Sequence, residues 1–131
     1  MKKEYLAKII AKDNDGLQMI SAYCAEAKVN VSEIKYLPKN KIFLLSLRRL
    51  NKENDNKKIE LNSICKFEFI DHVKSKNINQ NNKEFELELL TIELLKNNKN
   101  YEINLIFSNN RYITLSTEII EVTLDDQSKS L

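Results

Sequence analysis

Few side chains in this chain could do chemistry, and their spacing limits what that chemistry could be. His72 is the single histidine, so a multi-histidine metal site is excluded. Cys65 and His72 would be a thiol–imidazole pair for nucleophilic catalysis. An odd separation on a strand sends two side chains to opposite faces, so the pair needs a bulge between its members. The simpler reading is a surface or strand-end histidine. Cys24 and Cys65 fit neither a zinc spacing nor CxxC, which leaves two free thiols and a reducing cytosol. Carboxylates gather at Glu118, Glu121, Asp125 and Asp126. On a helix, Glu118 and Glu121 share a face, as do Glu121 and Asp125. Such pairs can bind a divalent cation or work as acid and base. A solvated acidic face is the preferred reading.

The basic residues carry a sharper signal. Arginine occurs only at Arg48, Arg49 and Arg111, and lysine supplies the rest of the 21 basic residues. Where lysine is the default cation, the retained arginines mark places that need a planar guanidinium fork. Arg48 and Arg49 close an apolar strand, so one of them faces inward or along the sheet edge. A buried guanidinium wants a bidentate acid, and an internal salt bridge is favoured over an anion-binding role. The candidate binding surface is Arg49 with Lys74 and Lys76; Lys39, Lys41, Lys57 and Lys58 could extend it. The expected ligand is a protein or a small anion. Tyr36, Phe43 and Phe67 on neighbouring strands resemble a nucleic-acid-binding sheet, but a core role explains them better. No catalytic residue, metal ligand or cofactor is assigned.

Composition narrows the classes. The chain has 131 residues with one glycine and one proline. Phosphate-cradling loops and nucleophile elbows need glycines and are absent. The 42% apolar and 31% charged fractions suit a soluble globular chain of one domain, 1–131, with a core over about 4–126. A net charge of +2 gives no general field for nucleic acid or anionic lipid. Residues 1–5 are basic, but the apolar run after them is short and broken by Lys8. Neither a signal peptide nor a membrane span is expected.

These residues must be positioned by a mainly β chain. Residues 4–11 read as a strand. Asp13-Asn14-Asp15-Gly16 offers a helix N-cap. Leu17, Ile20, Cys24 and Ala27 fall on one helical face, which predicts a helix over 15–28. Strands follow around Ile34 and Tyr36, over 41–50 and over a long stretch at 59–75, with polar loops at 51–58 and 76–84. Residues 85–95 change parity, which predicts a bulge near Leu89-Leu90 or a strand buried on both faces. Residues 101–107 alternate cleanly, and Asn109-Asn110 makes a hairpin turn in which at least one residue takes positive φ. Residues 117–126 fit a short helix or a strand, and the helix is preferred. The sum is an α+β chain: a curled antiparallel sheet or half-barrel of about seven strands with one N-terminal helix packed on it. A pleckstrin-homology-like barrel is the alternative.

Spread along the chain stand Ile20-Ser21-Ala22, Tyr36-Leu37-Pro38-Lys39, Phe43, Arg49, Phe67 and Val73-Lys74-Ser75-Lys76-Asn77-Ile78. Leu89-Leu90, Phe107, Ile113, Leu115, Glu118, Ile120-Glu121, Leu124 and Asp126 follow. In this order and spacing the chain resembles an alphaproteobacterial family of short proteins known only as a domain of unknown function. The resemblance covers about 4–126. It implies an intracellular bacterial protein and brings no activity, cofactor or catalytic residue. Where that family tends to carry glycine, near 77, 109 and 110, this chain has asparagine. The expected function is a small cytoplasmic, non-enzymatic binding or interaction module. The alternatives are an enzyme or metal binder using the C-terminal carboxylates, and an RNA-associated accessory protein.

Overall fold

Side chains that alternate in and out along most of the chain dictate strands, and strands dominate the computed structural model, which describes residues 6–51 and 59–129. In chain order they are β1 (Lys8–Ala11), α1 (Asn14–Cys24), β2 (Ala27–Asn30), a 3₁₀ turn at Val31–Glu33, β3 (Ile34–Leu37), β4 (Ile42–Asn51) and β5 (Ile59–Phe67). Then come β6 (Ile70–Lys76), β7 (Glu86–Asn97), β8 (Asn100–Phe107), β9 (Arg111–Thr117) and β10 (Val122–Lys129). All belong to one sheet with the order β1-β10-β5-β4-β2-β7-β8-β9-β6, and β3 lies on β4 beside this path. Every pairing is antiparallel. The sheet is open and curled. Its concave face carries the core, including Phe43, Leu45, Cys65, Phe67, Leu105, Leu115 and Leu124.

The helix starts where its cap chemistry says. Asp13 is extended and its Oδ1 accepts the Gly16 N–H at 2.8 Å, satisfying one orphan donor. Leu17, Ile20, Ser21 and Cys24 form the buried stripe. The helix then ends four residues short of the sequence expectation. Glu26 takes φ 69°, and Ala27 belongs to β2. Ala27, Val29 and Val31 are all buried, so the period is two, and Ala27 shared the helical stripe only by coincidence.

Gly16 serves close approach rather than turning. A Cβ there would lie 2.9 Å from the Ala11 Cα. Helix propensity alone favours Gly16→Ala by about 1 kcal/mol. The collision is with backbone, and overpacking costs about 1–3 kcal/mol. Net destabilisation in urea unfolding is therefore expected; a stabilised variant would show that β1 and α1 can move apart freely.

The turns use other residues. Among the described residues, seven non-glycine residues take positive φ, including Asn77 (62°), Asn109 (62°) and Asn110 (57°). The Asn77 side-chain amide donates to the Asn110 carbonyl at 2.7 Å, tying two such turns together. Asn109→Ala is expected to cost about 1–2 kcal/mol, because alanine resists the left-handed region, and Asn109→Gly almost nothing. Equal losses in the two variants would refute the backbone argument.

Three features add strands to the expected seven. The stretch 59–75 breaks at Phe69 (φ 62°) into β5 and β6, which lie far apart in the sheet. The four-residue β2 starts inside the predicted helix tail, which took in its first two residues. The preferred C-terminal helix is also corrected: Val122–Lys129 is β10, inserted between β1 and β5. Pairing on both edges satisfies its backbone, and Val122, Leu124 and Asp126 face inward. The bulge in β7 is where it was expected, with a register shift between Leu89 and Thr91 and Leu90 turned outward. The freed Ile92 N–H donates to Ser21 Oγ on the helix at 2.9 Å. Ser21→Ala should strand that buried donor and cost about 1–3 kcal/mol in thermal or urea unfolding; Ser21→Thr, which keeps the hydroxyl, should lose less. The start of the strand expected at 4–11 and most of the 51–58 loop lie outside the described residues.

Candidate functional site

The arginines come first, because each has a partner suited to its shape. Arg49 is buried, 1% exposed, and grips Asp126 with two hydrogen bonds, Nε to Oδ1 at 2.9 Å and Nη2 to Oδ2 at 2.6 Å. Ser63 donates to the same carboxylate, as does the Ala7 N–H at 2.8 Å. The guanidinium lies 5.1 Å from the Tyr23 ring centre. Burial by itself would raise the Asp126 pKa. The hydrogen bonds from Arg49, Ser63 and Ala7, with the Arg49 charge, outweigh it and hold the carboxyl below its ordinary 3.8. Arg48 faces the other way and binds Asn30 and Glu86, at 2.8 and 3.1 Å. Arg111 stacks on Phe85 at 4.7 Å.

The structure does not bring Arg49 together with Lys74 and Lys76. Arg49 is committed to the interior, while the two lysines stand exposed on β6. His72 is also exposed on β6 and Cys65 is fully buried on β5, so these two make no dyad. Burial pushes the Cys24 thiol up to about 12 despite nearby Arg49, and raises Cys65 well above its ordinary value. Both are held as thiols, the unreactive form. The C-terminal acids divide. Asp126 is the salt-bridge partner, and the Glu68 N–H donates to the Glu121 carbonyl at 3.0 Å, with the neighbouring Glu121 carboxyl and partial burial raising the Glu68 pKa. Among the described residues, no three His, Cys, Asp or Glu side chains gather as a metal site. Phe43 and Phe67 are buried against each other, edge to face at 5.8 Å.

One part of the concave face is left uncovered. The sheet curls until β6 approaches β3, and the seam is tied at both ends. At one end the Ile70 N–H donates to the Lys41 carbonyl at 2.8 Å, and the Tyr36 hydroxyl donates to the Ile70 carbonyl at 2.7 Å. The Lys41 ammonium pairs with Asp71 beside it, at 2.9 Å, and this contact raises the lysine pKa. At the other end Val31 and Ser32 donate to the carbonyls of Phe85 and Lys83. Between the ties lies a slot of about 180 Å³. Val31, Ile34, Tyr36 and Phe43 line one side, and Val73, Ser75 and Ile113 the other. Ile78, Gln80 and Lys83 reach in from the loop before β7, and Gln80 donates to Ser75 Oγ at 3.2 Å.

Sequence reasoning missed this slot. Its signal was the weak inward stripe of β6, where Ser75 occupies an inward position that a closed core would give to an aliphatic residue.

The fold and slot define a class: an open, curled antiparallel sheet with one helix packed on it and an apolar slot at its seam. The chain belongs to the family described as Protein of unknown function (DUF2948), whose sequence model matches residues 7–131. Neither the curated proteins nor the solved structures give a match. Among the described residues, no helix is long and apolar enough to cross a membrane.

Proposed function

We propose that this chain is a small cytoplasmic, non-enzymatic binding module, and that the slot between β3 and β6 receives an apolar group of its partner. The size of the slot carries the reading. Cofactor and drug-sized pockets occupy about 300–1,000 Å³. A cavity of about 150 Å³ holds one benzene. At about 180 Å³ the slot matches a single aromatic or aliphatic side chain. Its lining is mostly apolar, with Ser75, Gln80 and Lys83 at the margin to orient what enters. The non-enzymatic reading is supported by thiols kept protonated, a carboxylate locked by Arg49, and a histidine that forms no dyad with either buried cysteine. The cytoplasmic reading is supported by two free cysteines.

Indole tests the site. Titrated into isotope-labelled protein, it should shift the backbone amide signals of Ile34, Tyr36, Val73 and Ser75 with millimolar affinity. Val73→Trp, which fills the slot, should abolish the effect. Shifts spread over the whole surface, or none at saturating indole, would refute the slot as a binding site.

A further inference from the structure

The walls of the slot are the edges of two strands, and that fact limits the occupant. β6 ends the sheet order, with β9 as its one strand neighbour, and β3 is paired on the β4 side alone, among the described residues. An unpaired edge presents backbone N–H and C=O groups to any extended chain beside it. Along β6, Ser75 faces the slot while Lys74 and Lys76, on either side of it, face outward and are exposed. Across β9 these lysines meet Thr114 and Tyr112, neither of them acidic. Among the described residues, neither lysine has an ion pair. Lys83 adds positive charge at the slot itself.

We propose that the occupant is an extended acidic segment of a partner protein, added as a strand to the edge of β6 over 73–76, beyond the end where Ile70 is tied to Lys41 and Tyr36. One bulky apolar side chain enters the slot beside Ser75, and an acidic residue on each side of it faces Lys74 and Lys76. The pattern follows from strand geometry: if one side chain of an added strand points in, both neighbours point out. Outward neighbours on adjacent strands lie close enough for opposite charges to attract. The same lysines disfavour a second copy of this chain, because pairing β6 with β6 would set lysine against lysine. This inference rests on the slot reading.

The test is a library of short peptides displayed on phage and selected on the full chain, wild type and Lys74→Glu/Lys76→Glu. Both lysines are exposed, so the variant should melt with the wild type. The wild type should enrich a bulky apolar residue flanked on both sides by Asp or Glu. The variant should enrich one flanked by Lys or Arg. A peptide chosen on the wild type should bind the variant at least about tenfold more weakly, since like charges then face each other. Selection no better than on an unrelated protein would overturn the proposal. So would flanks that ignore the charge swap, displacement of the selected peptides by a single-stranded oligonucleotide, or self-association through β6. If indole still shifts the slot residues while acidic peptides fail, this inference falls and the slot reading stands. If indole fails too, both fall.

Discussion

Asp126→Asn is expected to lower the unfolding free energy by about 3–5 kcal/mol, the usual cost of breaking a buried ion pair from one side. Arg49→Ala should cost a similar amount. Both groups are sealed from water, with side chains 1% and 0% exposed, so neither finds solvent when its partner goes. The arrangement also ties the sheet together. Arg49 is on β4, Ser63 on β5, Asp126 on β10, and Ala7 just precedes β1. A one-residue slip of β10 would turn Asp126 outward and break every bond to its side chain. The comparison that matters is with Arg49→Met/Asp126→Leu. Among the described residues, two apolar groups leave Ser63 and the Ala7 N–H without their acceptor and strand no buried charge of the pair, so this double variant should be more stable than either single one. A double variant that loses the sum of the singles would refute the account. The pH dependence has a definite sign. The folded Asp126 pKa is depressed, so its contribution is complete above the unfolded value of about 3.9 and is lost as pH falls from there through the folded value. Asp126→Asn should remove that part of the acid loss, visible as a flatter stability profile below pH ~4.

What the sequence revealed depended on whether a signal was local. The bulge at Leu89 was legible because side-chain parity changes within one strand. The asparagine turns were legible because asparagine is the best non-glycine residue for left-handed backbone. The arginines were legible through their scarcity: two of the three use the guanidinium plane, Arg49 in a fork to Asp126 and Arg111 in a stack on Phe85, while Arg48 binds Asn30 and Glu86 through Nη2 alone. An internal salt bridge was the preferred reading for the inward arginine, with Arg49 also set in the candidate binding surface, but its acid, Asp126, was sought in a solvated helix. That error came from the run into β10, where Ile120 and Leu124 are spaced as on a helix, while the strand character of β10 is fixed by β1 and β5, both remote from it in sequence. β2 failed for the same reason, since four residues are too few to establish a period. The slot left only a faint trace, Ser75 on the inward stripe of β6. It exists because two strand edges, β3 and β6, converge without pairing, and no local pattern encodes how far a sheet curls.

Phe43→Ala and Phe67→Ala should each cost about 3–5 kcal/mol, yet differ in what they do to the slot. The rings face each other from paired positions on β4 and β5, both inward, 1% and 0% exposed. Their edge-to-face contact adds about 0.5–1.5 kcal/mol of coupling, so the double variant should lose less than the sum. Phe43 lines the slot and Phe67 does not. Removing the Phe43 ring extends the slot into the space it vacates, giving a guest more apolar wall. Indole should therefore bind Phe43→Ala more tightly than wild type and raise its melting temperature by mass action. Phe67→Ala should lose comparable stability and keep wild-type affinity for indole, with the same slot amides shifting. If Phe43→Ala folds but binds indole no better, the ring does not bound the slot.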